Sequence, residues 1–162
     1  MSKKFATAVA APLLTSTALY AANPPEMMEG LWSIRNHTID NPGNKKTDST
    51  STLCRSHAYD QHVLELAKTM IHCTINESVD ANKFSVTTCV VAGTVVDSTS
   101  TAIFTGNTAA HSEARATYNP ALGGISEMNV IQDEKYLGSC PPGLRPGDMT
   151  RADGTVVHLW TH

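Results

Sequence analysis

The chain has 162 residues, a formal net charge of −3 and a hydrophobic content of 41%. Its charged residues are dispersed, which argues against the basic stripe of a nucleic-acid-binding protein and against an anchor for anionic lipid. This length suits one domain rather than two.

The first 21 residues are predicted to form a secretory signal peptide. Lys3 and Lys4 give a basic start, and an uncharged, mostly apolar stretch follows from residue 5 to residue 19. That stretch is too short and too polar for a membrane span, which needs roughly 20 apolar residues. We expect cleavage after Ala21, with Ala18 as the alternative. The interpretation places the mature protein in the periplasm or outside the cell.

The mature chain is predicted to begin with two strands and a helix. Residues 30–38 alternate with Trp32 on one face, and residues 47–54 form the returning strand after a Pro-Gly turn. Ser56 is a good N-cap, and apolar side chains recur after it at helical spacing. We therefore expect a single helix over residues 57–69, with its apolar stripe on the sheet.

A hairpin and further strands are predicted in the middle of the chain. The segments with strand composition are 73–80, 83–90, 98–105, 111–118 and 125–137. Strands separated at short intervals by turn signals favour an antiparallel meander, whether open, half-barrel or barrel-like. The predicted fold class is therefore mainly β with one short helix.

The last segment, residues 141–162, is rich in Pro and Gly and then becomes apolar. It either adds an edge strand to the sheet or stays loosely attached. The predicted organisation is thus a signal peptide at 1–21, a disulfide-bonded β-rich domain at 22–140, and this C-terminal tail.

Four cysteines, Cys54, Cys73, Cys89 and Cys140, are expected to form two disulfides, because exported proteins fold in an oxidising compartment. None has the close Cys-x-x-Cys spacing that is typical of zinc sites. The favoured pairing is Cys54–Cys73 with Cys89–Cys140. In an unbulged hairpin Cys73 lies opposite Val90, which argues against Cys73–Cys89 unless a bulge shifts the register.

Several of these features occur together in one known family. Gly30 and Trp32 open the first strand, Cys54 just precedes the helix, Cys73 and Cys89 lie near the outer ends of the hairpin, and the final strand closes on Gly138 and Cys140. This arrangement resembles an exported bacterial family known as domain of unknown function 3617, over roughly residues 28–140. The resemblance implies export, paired cysteines and a β-rich fold. It implies no catalytic residues.

The seven histidines invite a metal site, but their spacing does not favour one. His57 and His62 are five residues apart on the predicted helix, about 140° from a common face. His158 and His162 would share a face only in a helix, which the apolar β-branched composition around them disfavours. We therefore expect ordinary surface or partly buried histidines, with no metal and no other cofactor.

The sequence contains no nucleophile motif, and the neighbouring carboxylates Asp133 and Glu134 would point to opposite faces of a strand. Large aromatic side chains are expected to form the core or to line an apolar cavity; they are Trp32, Phe84, Phe104, Tyr118 and Trp160. The favoured function is a non-enzymatic binding module of the cell envelope, for a small apolar ligand or a partner protein. A structural or accessory subunit of an envelope complex and an enzyme are the alternatives.

Overall fold

The structure, a computed structural model, describes residues 25–70, 73–80, 83–91 and 93–160. The predicted signal peptide lies outside these residues. The elements in chain order are β1 Gly30–Asn41, β2 Lys45–Arg55, α1 His57–Met70, β3 Cys73–Asp80, β4 Lys83–Val91, β5 Thr94–Thr105, β6 Ala109–Leu122, β7 Ile125–Gly138, β8 Asp148–Arg151 and β9 Val156–His158.

The strands form one nine-stranded sheet in the order β3-β4-β5-β6-β7-β1-β2-β8-β9. Every ladder between neighbours is antiparallel. Within the described strands no ladder joins β3 to β9, so the sheet is open rather than closed. The prediction of a mainly β, antiparallel fold with one short helix is confirmed.

Local sequence explains the turns and the start of the helix. Gly123 and Gly124, with φ of 59° and 88°, make the two-residue connection of β6 and β7, where Leu122 pairs with Ile125. Positive φ at both positions is the geometry of a hairpin turn that glycine permits at little cost. The amide of Tyr59 donates to Ser56 Oγ at 3.1 Å, so Ser56 is the N-cap of α1 as predicted.

The cysteine pairing differs from the prediction. One disulfide has both of its side chains within the described part of the chain, and it joins Cys54 to Cys140. The favoured pairs Cys54–Cys73 and Cys89–Cys140 are therefore both wrong. The reason is topological: β1 lies between β2 and β7, and its residue Leu31 is opposite both Cys54 and Gly138. The chain just after β7 therefore lies close to the end of β2, and the Cα atoms of Cys54 and Cys140 are 5.7 Å apart.

The hairpin register also differs from the simple expectation. Two register shifts, one between Thr74 and Ile75 and one between Asn76 and Asp80, together place Cys73 opposite Cys89 rather than opposite Val90. An extra residue on one strand changes which face the following side chains occupy. The shifts remove the argument that had set Cys73 and Cys89 on different faces.

The C-terminal segment is part of the sheet. β8 pairs with the end of β2, β9 pairs with β8, and the amide of Gly147 donates to the carbonyl of Cys54 at 2.8 Å. Trp160 then reaches α1, with its ring 6.1 Å from that of Tyr59 and stacked 5.4 Å from His62. Strand pairing and ring contacts together tie this segment to the helix.

Buried side chains lie at two places in the sheet. One cluster contains Cys89, Val96, Ala116 and Tyr118 on β4, β5 and β6. At the other, Trp32 on β1 is completely buried, with Leu53 opposite it on β2. The face between these clusters is open to solvent, and it carries the candidate site.

Candidate functional site

A groove of 890 Å³ runs across one face of the sheet. Alternate residues of β1, β5, β6, β7 and β8 line it, and these belong to a single concave face. Strand β2 contributes Leu53, Arg55 and the consecutive residues 47–51. Tyr59 and Val63 of α1, together with Leu159 near the C-terminus, close one end. An open sheet, closed at one end by a helix, thus forms this groove.

The walls of the groove are mainly apolar. On one side they are formed by Phe104, Met128 and Val130, from β5 and β7. On the other side lie Leu53 of β2 and Met149 of β8. Apolar walls of this kind offer surface to the hydrocarbon part of a ligand.

The floor between these walls is polar. Asn36, Thr38 and Asp40 succeed one another at every second position of β1, and Gln132 faces Asn36 from the neighbouring β7. Side chains two residues apart lie on the same face of a strand, so the three polar residues of β1 form one row. The floor is therefore a polar strip along the two central strands.

Four buried polar atoms of the concave face have no hydrogen-bond partner within the described residues. They are Asn36 Oδ1, Asp40 Oδ1, Gln132 Oε1 and Ser100 Oγ. Leaving one buried polar group unsatisfied costs about 1–3 kcal/mol. Three of these atoms belong to the floor of the groove, where a bound molecule is able to satisfy them.

A buried ion cluster lies at the closed end. Arg55 donates to both carboxylate oxygens of Asp60, at 3.0 and 3.1 Å, and to Glu134 Oε2 at 2.6 Å. Glu134 Oε1 in turn accepts a hydrogen bond from Gln132 Nε2. This chain of contacts connects the helix to β7 through the end of β2 and fixes the side chain of Gln132.

The electrostatics at this end of the groove raise the pKa values of Arg55 and Tyr59. Burial works against the charge of Arg55, but the carboxylates of Glu134 and Asp60 outweigh it, so the pKa of Arg55 is raised. Burial first, and then the charge of Asp60, raises the pKa of Tyr59 to about 12. Arg55 is therefore a fixed cation and Tyr59 a neutral phenol.

The predicted aromatic residues are distributed between the groove and the core. Phe104 lines the groove, whereas Tyr118 is in the buried cluster and Trp160 contacts the helix. Trp32 is completely buried beneath Arg55. The side chain of Phe84 lies outside the described residues. The predicted aromatic cavity is thus a groove with one of the five aromatic rings in its lining.

The histidines are placed apart. His57 lies against Glu26 and Glu29, His62 stacks on Trp160, and His158 contacts Asp148 at 2.6 Å. His162 is outside the described residues. Within the described part of the chain, no group of three or more His, Cys, Asp or Glu side chains is arranged to hold a metal ion.

Asp133 and Glu134 point to opposite faces of β7, and their surroundings differ more than the sequence suggested. Asp133 accepts a hydrogen bond from His111 Nδ1 at 2.7 Å on the outer face, as a solvated residue would. Glu134 belongs to the buried ion cluster, which sequence reasoning did not foresee. The sequence did contain a signal for this burial, because Glu134 occupies the same face of the strand as Gln132 and the apolar Val130.

Comparison with known proteins adds no assignment. No family model matches the chain, and no curated protein matches it significantly. The resemblance to domain of unknown function 3617 stays a prediction. None of the helices in the described residues has the length and apolar character that a membrane crossing requires.

Proposed function

We propose that this protein is an exported, non-enzymatic binding module that holds a small amphipathic molecule in the groove of its sheet. The observation that carries the proposal is the set of unpartnered polar atoms on the floor of an 890 Å³ groove. Small-molecule sites typically occupy about 300–1,000 Å³ and combine apolar walls with a few placed polar groups. A ligand with both characters would satisfy the floor and cover the walls.

Export is supported by the N-terminal sequence pattern and by the Cys54–Cys140 disulfide. Structural disulfides persist in oxidising compartments and are rare in the cytosol. The proposed location is therefore the periplasm or the exterior of the cell.

The proposal of a binding module rather than an enzyme is supported by the titration behaviour of the groove. An enzyme that uses acid–base chemistry needs a group with a pKa close to the working pH. The shifts of Arg55 and Tyr59 move their pKa values further from neutrality. Both groups are thus suited to holding the fold and a ligand, rather than to exchanging protons.

An accessory subunit would need a continuous apolar patch or a long free edge strand. The exposed apolar side chains Ile131 and Leu137 lie on the outer face of β7, where Asp133 and Lys135 separate them. One edge strand of the sheet, β9, has three residues, and the other, β3, has eight. The outer face of β7 therefore supports this alternative less well than the groove supports ligand binding.

Native mass spectrometry of protein purified from its export compartment tests the proposal. We expect extra mass that is lost on denaturation, because the unpartnered floor favours occupancy. Ala110 lines the groove, whereas its neighbour Ala109 faces the other side of β6. Ala110→Phe should abolish the extra mass, and the matched Ala109→Phe should retain it.

Two results would overturn the proposal. One is a bare mass for the wild-type protein under conditions that preserve weak complexes. The other is extra mass that survives Ala110→Phe in full, which would place the ligand outside the groove.

A further inference from the structure

The unpartnered atoms of the floor have one chemical character. Asn36 Oδ1, Asp40 Oδ1 and Gln132 Oε1 are all acceptors. A ligand that satisfies them must bring hydrogen-bond donors. An ammonium group has three donors and no acceptor, whereas a hydroxyl group has one donor.

The orientation of Gln132 is set by its neighbour. Its Nε2 donates to the carboxylate of Glu134, so the opposite orientation would bring two acceptor oxygens together. Gln132 is 6% exposed and lines the groove, with Oε1 left unpartnered. A side chain this deeply buried is reached only through the groove, so a ligand there is able to donate to its free oxygen.

The carboxylates that line the groove are not equally available to a ligand. Asp60 and Glu134 share Arg55, and Asp48 is exposed and pairs with His37. Asp40 lies opposite Lys45 across β1 and β2, but Lys45 is exposed at the open end, and Asp40 Oδ1 has no hydrogen-bond partner within the described residues. The charge of Asp40 therefore favours a cation at this position of the groove.

The acceptors occupy two positions along the floor. Asn36 and Gln132 are directly opposite each other, and Asp40 lies four residues further along β1, or about 13 Å away at the rise of a strand. Val130 of β7 lies opposite Thr38, between these positions, and Met128 lies opposite Asp40. The spacing of the acceptors fits a ligand with cationic groups at two points and methylene groups between them.

We propose that the groove binds an elongated aliphatic amine, with one ammonium group donating to Asn36 and Gln132 and a second donating to Asp40. This inference rests on the proposed function and names the ligand class of the same groove. The methylene chain lies against Val130 and Met128, which line the groove between the two positions.

Four probes of equal chain length test the chemistry by isothermal titration calorimetry of the purified protein. They are diaminodecane with two ammonium groups, decylamine with one, decanol with none and decanoate with the opposite charge. We expect diaminodecane to bind about tenfold more tightly than decanol, since hydrogen bonds to charged groups are stronger than neutral ones. Decylamine should lie between them, and decanoate should bind most weakly.

Two variants locate the contact. Asp40→Asn retains the size of the side chain and removes its charge, so it should weaken diaminodecane about tenfold and leave decanol unchanged. Asp133→Asn makes the same replacement on the outer face of β7 and should leave all four affinities unchanged. Both variants should unfold at a similar denaturant concentration to the wild type, which separates binding from folding.

The outcomes distinguish the two proposals. Binding of decanol or decanoate as tight as that of diaminodecane would overturn the amine and leave the binding module standing. Equal affinities for decylamine and diaminodecane would overturn the two-point contact. If none of the probes binds and native mass spectrometry shows bare protein, the proposed function itself has failed.

Discussion

The guanidinium group of Arg55 lies over the ring of Trp32, with Cζ 5.1 Å from the ring centroid. Trp32 is fully buried, and its indole N–H donates to the carbonyl of Met28 at 2.8 Å. A cation on the face of a desolvated tryptophan is attracted to the ring, in addition to its ion pairs. Arg55 thus connects the buried ring of Trp32 to the carboxylates of Asp60 and Glu134.

Replacing Arg55 with Met should destabilise the protein by about 3 kcal/mol. The methionine would retain part of the contact with Trp32 but would leave Glu134, which is 15% exposed, without its counter-charge. Removing one partner of a buried ion pair costs about 3–5 kcal/mol, because the other charge stays buried and uncompensated. Urea denaturation monitored by tryptophan fluorescence measures the difference.

A matched control lies on the same sheet. Arg35→Met removes an exposed arginine from the outer face of β1 and should change stability by less than about 0.5 kcal/mol. Adding Glu134→Gln to Arg55→Met should recover part of the loss, because the uncompensated charge is then gone. If Arg55→Met unfolds at the same urea concentration as the wild type, the cluster does not stabilise the fold.

The Cys54–Cys140 disulfide should be a large contribution to stability. It joins residues 86 positions apart, and closing a loop of this length stabilises by about 4–5 kcal/mol in the chain-entropy model. The double variant Cys54→Ser with Cys140→Ser should therefore unfold at a much lower urea concentration than the oxidised wild type. Reduced wild-type protein should match the reduced double variant, and equal midpoints for the oxidised wild type and the oxidised double variant would contradict the prediction.

Cys73 and Cys89 should form the second disulfide. Cys89 is buried and disulfide-bonded, and Cys73 is its Cα partner across β3 and β4. Proteolysis without reductant, followed by mass spectrometry, should recover a peptide pair that contains both residues. Recovery of Cys73 as a free thiol, or joined to a peptide other than that of Cys89, would exclude this pairing.

Local signals were sufficient for much of the fold. Ser56 and the apolar spacing after it predicted a helix over 57–69, and α1 runs from His57 to Met70. The predicted strands 111–118 and 125–137 correspond to β6 and β7, which are joined by a two-residue turn at Gly123 and Gly124. These features depend on residues that are close together in the chain, so a single sequence is sufficient to predict them.

Features that depend on distant strands were not predicted. The order of the sheet places β1 between β2 and β7, and this arrangement decides the partner of Cys54. The shifts after Thr74 and Asn76 change the hairpin register without a sequence signal that we could read beforehand. Pairing between remote strands is set by the whole sheet, so neither result follows from periodicity.

The candidate site was missed for a related reason. Alternation placed Trp32 and Ile34 on one face of β1, and continuing it would have placed Asn36, Thr38 and Asp40 on that same face. These polar residues gave no sign of a site, because the sequence does not show that β7 and β2 pair with the two edges of β1. Only the sheet order shows that a polar row crosses the concave face.

Asp148 should make stability depend on pH in the acidic range. It is 2% exposed, and it accepts hydrogen bonds from the amide of Arg145 at 2.9 Å and from His158 Nδ1 at 2.6 Å. The hydrogen bond from Arg145 first, and then that from His158, lowers the pKa of Asp148 below its ordinary value of 3.8. Because the folded pKa lies below the unfolded one, this contribution is present above pH 3.8 and is lost as pH falls through the folded value.

Asp148→Asn tests this with urea denaturation at several pH values. The wild type should exceed the variant in stability near neutral pH, and the difference should shrink as the pH falls below 3.8. Asp133→Asn supplies a contrast of opposite sign, because its hydrogen bond to His111 raises the pKa of His111 above 6.5. Its contribution is present below pH 6.5 and is lost as pH rises through the folded pKa of His111. A stability difference for Asp148→Asn that is the same at every pH would mean that Asp148 acts by packing and not by its charge.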